Sequence, residues 1–319
     1  MPRIDLLTVG EAFEDLIFVG LPHMPKPGEE LKTARFAATV GGGAVITAIA
    51  ASRLGLRTAI VSALSQDASG ALRRDRVRVV NLTQAAESHA VTVSLSTKHE
   101  RSFVTFNGVN DHLEARLPAA IARQRARHVH LAFAPHHCAR WVRIVEGLRA
   151  RGVTTSWDFG WNPPLRRASG FSALLGAVDI IFVNEAEAAM YSRTTRTVAA
   201  IAYWRRTARN TVIKLGRRGS RWIAGDHSNE DRGVLRRQPR DVAAPAPRVH
   251  AVDTTGAGDA FNGGFLVAWL GGQRSRECLR VGNFAGAQST LGIGGVAALP
   301  ARPTRLTRPA RPMRRTRPI

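Results

Sequence analysis

Residues 41–63 read GGGAVITAIAASRLGLRTAIVSA, and the class of fold follows from this segment. Its three glycines form a turn before an alanine- and isoleucine-rich stretch, Ala44 to Leu54, which predicts a helix. After Gly55, the run from Thr58 to Ala63 predicts a buried strand, and the apolar run from Ile4 to Val9 predicts another before the turn. Strand, glycine turn, helix and strand in this order predict a βαβ unit, and hence a parallel sheet.

The same alternation continues along the chain and extends the predicted sheet. Two β-rich segments, near residues 15–40 and 88–108, interrupt it, and the first contains a proline-rich stretch that neither a helix nor a central strand could hold. We therefore predict an α/β body with a small separate sheet. The further predicted strands are 129–133, 153–157, 178–183 and 211–215, and the further helices are 140–151, 198–209, 260–270 and 276–291.

Length and composition exclude several classes of protein. With 319 residues, 44% of them apolar, the chain can bury a large core, which excludes a disordered or collagen-like protein. No apolar run approaches the ~20 residues that span a membrane, and the start lacks the pattern of a signal peptide. The two cysteines, Cys138 and Cys278, are too few for a disulfide framework, which favours a reducing compartment. We expect a cytoplasmic protein without a membrane partner.

The net positive charge of the chain is of a size that often indicates a nucleic-acid-binding protein. The formal net charge is +22, but only four of the 46 basic residues are lysines. Such an arginine skew can follow from genomic base composition, so the charge indicates unspecific attraction to polyanions rather than a specific nucleic-acid partner. Seven arginines and four prolines fall in residues 301–319, which contain no acidic residue and are predicted to be disordered.

The segment Asp253-Thr254-Thr255-Gly256-Ala257-Gly258-Asp259 carries the clearest chemical signal. It lies directly before a predicted helix, where small residues allow a ligand to approach closely and free amide groups bind anions. A carboxylate there would repel a bound phosphate, so its presence indicates that it has a function of its own. Asp259 has one if it takes the proton from a hydroxyl that attacks a phosphate, while the amides of Gly256, Ala257 and Gly258 hold the charge of the transferred group. A capped tight turn is the simpler alternative.

This segment and several others resemble, in order and spacing, the PfkB (ribokinase-like) family of carbohydrate and nucleoside kinases. The resemblance covers residues 4–298 and implies a ribokinase-like three-layer α/β fold, with a central mostly parallel sheet and a small β-sheet lid over the substrate. A kinase domain of residues 1–300 is then expected, with the lid near 15–40 and 88–108 and the tail at 301–319. The other matching landmarks are Val9-Gly10-Glu11 with Asp15, Gly41-Gly42-Gly43, Asp67 with Gly70, Asp158 with Asn162, Asn184-Glu185-Ala186-Glu187, Leu215-Gly216-Arg217-Arg218-Gly219, and Asn283.

The resemblance also implies cofactors and site residues. ATP and Mg²⁺ are the implied cofactors, and a potassium-type cation near Asp253 and Thr255 is implied by analogy. A homodimer through the lid is favoured, because the exposed edge of a small sheet can pair with a second copy. The implied site residues are Asp259 as base with Gly256, Ala257 and Gly258 as the anion hole; Asp15, Gly42 and Gly43 for substrate hydroxyls; Asn184, Lys214, Gly216, Gly219 and Asn283 for ATP; and Glu187 for Mg²⁺.

The chain departs from the family pattern at three positions. Ile46 stands where the family often has an asparagine, Phe133 lies where some sugar kinases place a carboxylate, and Lys214 replaces a common threonine or serine. A pocket lined by Ile46 and Phe133 would leave the hydroxyls of ribose unpaired, at a cost of ~1–3 kcal/mol each. These departures favour a less hydroxylated substrate, such as a deoxy-sugar acid or a nucleoside.

Three other groupings are weaker signals. The cluster of His128, His130, His136, His137 and Cys138 lacks a second ligand pair at zinc spacing, so we do not predict a metal site there. Trp157 and Trp161, on either side of Asp158, either stack on a ligand or pack in the core. Four arginines between residues 73 and 78 are predicted to face solvent from a short helix.

Together with the resemblance, the sequence predicts ATP-dependent phosphorylation of a primary hydroxyl on a small carbohydrate or carbohydrate-like substrate. Two alternatives remain at this point: a nucleoside kinase, and a non-catalytic family member that binds a nucleotide or metabolite. Retention of Asp259 with an intact Gly-Ala-Gly turn favours the enzyme, whereas Ile46 favours the non-catalytic protein.

Overall fold

A computed structural model describes residues 3–226 and 241–301 of the chain. The predicted disordered tail lies outside the described residues, except for Ala301, so it stays a prediction. Thirteen strands and nine α-helices fall within the described ranges. The strands are β1 (Ile4–Gly10), β2 (Phe13–Val19), β3 (Arg35–Gly41), β4 (Thr58–Ser62), β5 (Arg78–Asn81), β6 (Val91–Ser96), β7 (Arg101–Phe106), β8 (Ala126–Ala132), β9 (Thr154–Asp158), β10 (Ile180–Asn184), β11 (Asn210–Lys214), β12 (Ser220–Ala224) and β13 (Asp241–Ala244).

The helices connect the strands of the main sheet and follow its last strand. They are α1 (Gly43–Arg53), α2 (Gln66–Arg74), α3 (Leu113–Ala122), α4 (Cys138–Ala150), α5 (Phe171–Ala177), α6 (Glu185–Ser192), α7 (Thr197–Thr207), α8 (Ala257–Leu270) and α9 (Ser275–Ser289).

Nine strands form the central sheet in the order β13-β12-β11-β10-β9-β8-β1-β4-β5. The seven strands from β11 to β5 are parallel, and β12 and β13 are antiparallel additions at one edge. Helices α3 to α7 cover one face, and α1, α2, α8 and α9 cover the other. A strand between two helical layers is buried on both faces, which explains the continuous apolar runs in the sequence. The predicted three-layer arrangement is confirmed.

The other four strands form a second sheet in the order β3-β2-β6-β7. β2 pairs antiparallel with β3 and parallel with β6, and β6 and β7 form a hairpin. Thr97 stabilises the turn of this hairpin, since its Oγ1 accepts hydrogen bonds from the amides of His99 and Glu100. The small separate sheet is therefore confirmed, and we call it the lid sheet.

Several elements differ from those that the sequence patterns predicted. The arginines near residue 75 do not share one helix: α2 ends at Arg74, and Arg78 begins β5. Ser65 caps α2 by accepting a hydrogen bond from the amide of Ala68, at 3.1 Å, which starts the helix well before the arginines. All four arginines are exposed, as expected. Helices α3, α5 and α6 and strands β5, β12 and β13 were missed, because short elements carry too few periodic residues.

Glycines allow α8 to pack closely against two other helices. A Cβ added at Gly263 would lie 2.7 Å from the Cβ of Ala50 in α1, and one added at Gly264 would lie 2.7 Å from the Cβ of Ala285 in α9. Both distances are too short for a side chain, so glycine is required by this close approach. Helices α1, α8 and α9 therefore form one tightly packed group on one face of the sheet.

The length of the helices and the state of the two cysteines bear on the expectations drawn from composition. Within residues 3–226 and 241–301, none of the helices combines the length and the apolar composition that crossing a membrane requires. Cys138 and Cys278 are both free and buried.

Candidate active site

The carboxyl ends of two neighbouring parallel strands carry two of the predicted site residues, Asn184 and Lys214. In the sheet register, Ala132 lies opposite Asp158, and Asn184 lies opposite Lys214. The glycine turn before α1 follows β3 of the lid sheet and reaches the same edge. Ligands of parallel α/β sheets bind at this edge, because loops of neighbouring strands separate there.

The anion-hole turn, residues Asp253 to Asp259, precedes and begins α8. Gly256 has φ of +70°, a left-handed conformation that favours glycine, and the helix starts at Ala257 rather than at the predicted residue 260. Within the described residues, no hydrogen bond engages the amides of Gly256 and Gly258, whereas the amide of Ala257 donates to Thr254 at 3.3 Å. Two free amides at the positive end of a 14-residue helix are suited to binding an anion.

Asp259 lies in the first turn of α8 and faces the glycine turn before α1. A Cβ on Gly43 would be only 3.0 Å from its Oδ1, so a glycine is needed to leave room beside the carboxylate. No donor among the described residues hydrogen-bonds this carboxylate. Burial, and next the negative charge of Asp158, raise the pKa of Asp259 to about 7, although Lys214 opposes the shift. A carboxylate with this pKa can accept a proton near neutral pH.

Lys214 brings a positive charge to the same turn. Its Nζ donates to Asp158 Oδ2 at 2.6 Å, and Asp158 also accepts a hydrogen bond from Asn262 at 2.8 Å. A Cβ on Gly258 would lie 3.1 Å from this Nζ. Burial alone would lower the pKa of Lys214, but Asp158 and Glu187 outweigh it and raise the pKa, so the amine stays charged. Lys214 likewise holds the pKa of Asp158 below its usual value despite burial.

Asn184 and Glu187 form a capping box at the start of α6. The Asn184 side chain accepts a hydrogen bond from the Glu187 amide, and the Glu187 carboxylate accepts one from the Asn184 amide, both at 2.8 Å. Burial, and next the charge of Asp158, raise the pKa of Glu187. The two residues thus have a structural role, and Glu187 also belongs to the group of acidic residues around Lys214.

A large pocket opens beside the anion-hole turn. Its volume is about 680 Å³, which lies in the range of ligand sites. Four of the five predicted ATP residues line it, together with three residues of the anion-hole turn; these are Lys214, Gly216, Gly219, Asn283, Thr254, Ala257 and Gly258. Asn283 also donates hydrogen bonds to the carbonyls of Ala244 and Pro245, at 3.0 and 3.2 Å, so it positions the segment that forms the opposite wall.

The predicted substrate residues lie on the other side of Asp259. Asp15 is on β2 of the lid sheet, and its carboxylate packs so closely on Gly41 that any side chain at that glycine would collide with it. No described donor hydrogen-bonds Asp15, and burial, followed by the charge of Asp253, raises its pKa to about 7. The charge of Asp15 in turn contributes to the raised pKa of Asp259, which indicates that the two carboxylates are near each other.

Glu11 is an acidic residue next to the glycine turn, and in the sequence it is identified only as part of a family landmark. Its side chain is largely buried, and burial raises its pKa to about 7. A Cβ on Gly42 would collide with the Glu11 carbonyl, which explains why glycine is needed in this part of the turn. The glycine turn thus contacts Asp15, Glu11 and Asp259 in succession.

Ile46 and Phe133, the two apolar departures from the family pattern, have different surroundings in the structure. Ile46 is buried in α1 and packs against Gly256 and Gly295, with its Cδ1 2.5 Å from a Cβ built on Gly256. The Phe133 ring packs between those of Trp141 and Trp157, at 5.1 Å from each. Phe133 is thus part of the core, whereas Ile46 borders the anion-hole turn, and its effect on the choice of substrate stays a prediction.

Among the weaker sequence signals, the histidines and Trp157 are explained by hydrogen bonds and packing. His128 and His130 are buried in β8 and share hydrogen bonds with Ser156 at 2.8 Å, while His136 bonds to Glu114 at 2.6 Å. Across residues 3–226 and 241–301, no three His, Cys, Asp or Glu side chains are grouped as a ready-made metal site. Trp157 is fully buried, whereas Trp161 is 61% exposed.

One contact at the anion-hole turn was not predicted. Arg101, the first residue of β7, donates from Nη2 to Asp253 Oδ1 at 2.6 Å and from Nη1 to Thr255 Oγ1 at 2.8 Å. Asp253 Oδ1 also accepts from the amide and hydroxyl of Thr255, and Oδ2 accepts from the Gly294 amide. The sequence offers no signal for Arg101, because a basic residue after a hairpin turn usually faces solvent.

Comparisons with known proteins agree with this fold and site. Residues 3–302 match the profile described as pfkB family carbohydrate kinase. A ribokinase of Haemophilus influenzae is 26% identical over 95% of this chain and 98% of its own, and a nucleoside kinase of Methanothermobacter thermautotrophicus is 28% identical over 89% and 87%. The structure of Arabidopsis thaliana ribokinase complexed with ribose and ATP superposes with a TM-score of 0.70 at 23% identity, covering 94% of this chain and 97% of that one.

Proposed function

Because the chain belongs to the pfkB family of carbohydrate kinases, which are ATP-dependent phosphotransferases, we propose that it phosphorylates a primary hydroxyl of a small carbohydrate or carbohydrate-like substrate with Asp259 as general base. The observation that carries this proposal is the location of Asp259. Its carboxylate, with a pKa of about 7, lies in the first turn of α8, where two amides are free, and faces Gly43 of the glycine turn, in which Gly41 packs against Asp15. Phosphate donor and hydroxyl acceptor can therefore meet at one atom.

The proposed reaction assigns one step to each group. Asp259 takes the proton of the substrate hydroxyl as that oxygen bonds to the γ-phosphorus of ATP. The bond from this phosphorus to the β,γ-bridging oxygen breaks, and ADP leaves with the electron pair. The amides of Gly256 and Gly258 and the ammonium of Lys214 stabilise the negative charge on the transferred group. Asp15 accepts hydrogen bonds from other hydroxyls and so orients the substrate.

Mg²⁺ fits the charges of this site. Asp158, Glu187 and Asp259 together bear three negative charges when ionised, against the single positive charge of Lys214. Burial, and next the charge of Asp158, raise the pKa of Glu187, so a cation at this carboxylate would stabilise its ionised form. Mg²⁺ usually binds one or two carboxylates and completes its shell with phosphates and water, so no three-ligand cage is needed. We propose that Glu187 helps to hold the ion, which when bound would neutralise phosphate charge.

The expected potassium-type cation fits poorly at Asp253. Both oxygens of that carboxylate already accept hydrogen bonds from the protein, and the Arg101 guanidinium supplies a positive charge 2.6 Å away. We therefore assign no step of the reaction to a monovalent cation.

A pH–rate profile tests Asp259 as the base. Only the ionised carboxylate accepts a proton, and burial raises the pKa of Asp259 to about 7. We expect kcat/KM to rise about tenfold per pH unit below pH ~6.5 and to level off above ~7.5. The measurement is initial rate against pH with Mg²⁺ and ATP in excess. A rate that is constant from pH ~5.5 to ~8 would contradict the assignment.

The lid sheet also supports the proposed homodimer. Its edge strand β7 is unpaired among the described residues, and three phenylalanines of this sheet are more than half exposed: Phe36, Phe103 and Phe106. We expect light scattering to give twice the monomer mass of 34.6 kDa. The double change Phe103→Ser with Phe106→Ser should shift the protein to monomer, whereas Trp161→Ser, at an exposed tryptophan outside the lid, should not. A wild-type monomer at micromolar concentration would disprove this dimer.

The substrate class is best identified by a panel assay. ATP consumption would be measured with neutral sugars, keto-deoxy sugar acids, sugar phosphates and nucleosides. Relatives named ribokinase and nucleoside kinase support the first and last groups. Three largely buried acidic side chains at the glycine turn (Glu11, Asp15 and Asp259) favour acceptors that donate hydrogen bonds and carry no negative charge. ADP formed only with a nucleoside would establish the nucleoside kinase, and ATP binding without turnover on any substrate would favour the non-catalytic protein.

A further inference from the structure

The contacts of Asp253 join three segments of the chain that are distant in sequence. Arg101 belongs to β7 of the lid sheet, Thr255 to the anion-hole turn, and Gly294 to the loop after α9. Gly294 in turn packs against the lid sheet, since a Cβ placed on it would be 2.8 Å from Thr39 Cγ2. Asp253 is thus the point at which the lid sheet, the anion-hole turn and this loop meet.

The pair of Arg101 and Asp253 is mostly shielded from solvent. The Asp253 side chain is 3% exposed and that of Arg101 is 27% exposed. The guanidinium makes two parallel contacts, one with the carboxylate and one with the Thr255 hydroxyl, a geometry that a lysine could not reproduce. Burial by itself would raise the pKa of Asp253, but hydrogen bonds from Gly294 and Thr255 and the charge of Arg101 lower it, so the carboxylate stays ionised.

A buried carboxylate needs a positive charge close by. Among the described residues, Arg101 is the basic side chain that pairs with Asp253. The charge of Asp253 raises the pKa of Asp15, so a second acidic side chain lies within electrostatic reach of Asp253. Without Arg101, a buried negative charge would remain at the base of the anion-hole turn and would disfavour a bound phosphate.

We propose that Arg101 is a built-in cation of the anion-hole turn: its guanidinium supplies the charge that a bound monovalent cation would otherwise supply, and it links the lid sheet to that turn. Arg101 is a positioning residue in this account, because it touches Asp253 and Thr255 and acts through them on the amides of Gly256 and Gly258. The proposal rests on the proposed function in that the turn is taken to bind a phosphate group. The binding and melting measurements below do not depend on catalytic turnover.

The first test uses the unmodified full chain. Affinity for a non-hydrolysable ATP analogue with Mg²⁺ and the melting temperature would each be measured in potassium chloride and in tetramethylammonium chloride at equal ionic strength. Tetramethylammonium is too large for the space between a carboxylate and a hydroxyl, so the pair of salts separates ion binding from screening. We expect the two dissociation constants to agree within about twofold. A severalfold tighter affinity, or a clear rise in melting temperature, in potassium alone would overturn the proposal.

The second test removes the guanidinium by Arg101→Ala. We expect nucleotide affinity in tetramethylammonium chloride to fall about tenfold, because the Asp253 charge is uncompensated, and potassium or millimolar guanidinium to restore most of it. Such rescue by a small cation would not occur if Arg101 only packed against its neighbours. Arg35→Ala is the matched control, since Arg35 is an exposed arginine on β3 of the same sheet.

The outcomes separate the proposal from its alternatives. An Arg101→Ala protein that binds nucleotide like Arg35→Ala, in either salt, would overturn it. If Arg101→Ala fails to fold, Arg101→Lys tests the same point: it keeps the charge but loses the second contact, so a smaller loss of affinity that potassium does not change supports the built-in cation. If Arg101→Lys binds nucleotide as tightly as the unmodified chain in both salts, the two contacts of the guanidinium are not required. That part of the proposal would then be rejected. Failure of the proposed kinase activity would appear only as missing turnover.

Discussion

Asp259→Asn should lower turnover by at least about 100-fold while leaving ATP affinity within about threefold of the unmodified protein. The amide has nearly the shape of the carboxylate but cannot accept the hydroxyl proton. Because no described side chain hydrogen-bonds Asp259, the substitution breaks no internal contact, and burying a neutral amide costs less than burying a charge. The loss therefore falls on the chemical step. Single-turnover kinetics and calorimetric titration with ATP measure the two quantities separately.

A matched variant distinguishes catalysis from a general effect on a helix start. Glu277 is also an acidic residue in the first turn of a helix, α9, and it is 46% exposed. Glu277→Gln should leave both turnover and affinity unchanged. Equal activity of Asp259→Asn and Glu277→Gln would remove Asp259 from the mechanism and leave the capped tight turn as its role.

Lys214→Met should have the second largest effect, because two functions are lost together. The ammonium beside Gly258 disappears, and we expect kcat to fall by ~10²- to 10³-fold, as for other groups that stabilise charge in a transition state. Asp158 also loses its partner at 2.6 Å in a buried site, which destabilises the fold by about 3–5 kcal/mol. Turnover and the free energy of unfolding in denaturant measure the two losses.

A double variant separates these two functions of Lys214. Asp158→Asn combined with Lys214→Met removes the orphaned charge, so stability should largely return while kcat stays low. Lys214 also lowers the pKa of Asp259, so its loss should shift the rising limb of the pH–rate profile to higher pH. Lys98→Met, at an exposed lysine in the turn of the lid hairpin, is the control. Recovery of kcat in the double variant would mean that Lys214 serves only the fold.

The sequence predicted the architecture well where elements are long and their patterns simple. Six of the seven parallel strands and the helices at 140–151 and 276–291 appear within about three residues of their predicted ends, whereas β5 was not predicted. The β12–β13 extension and the helix at 113–122 did not, since their sequences lack strong periodicity and Pro118 interrupts the latter. Tertiary packing, not local preference, determines such elements.

The candidate site was predictable only in its chemistry. The acid at position 259 and the small residues before it could be identified because a phosphate site and a base require those residue types. Contacts between distant segments could not be predicted: nothing local indicates that Asp158 and Asn262 would hold Lys214, or that Arg101 would reach Asp253. The same limit applies to Phe133, because its burial between two tryptophan rings depends on neighbours that the sequence does not specify.

The glycine contacts between α1 and α8 have a consequence for how accurately the two reactants are aligned. Each helix begins at one half of the site, α1 at Gly43 beside the acceptor and α8 at Ala257 beside the donor. The two backbones approach closely at Gly263, with no flexible side chain between them. We therefore expect the two helix starts to keep a fixed position relative to each other. The spacing between the two halves of the candidate site is therefore set by a helix contact that lies about one turn after Asp259 in α8.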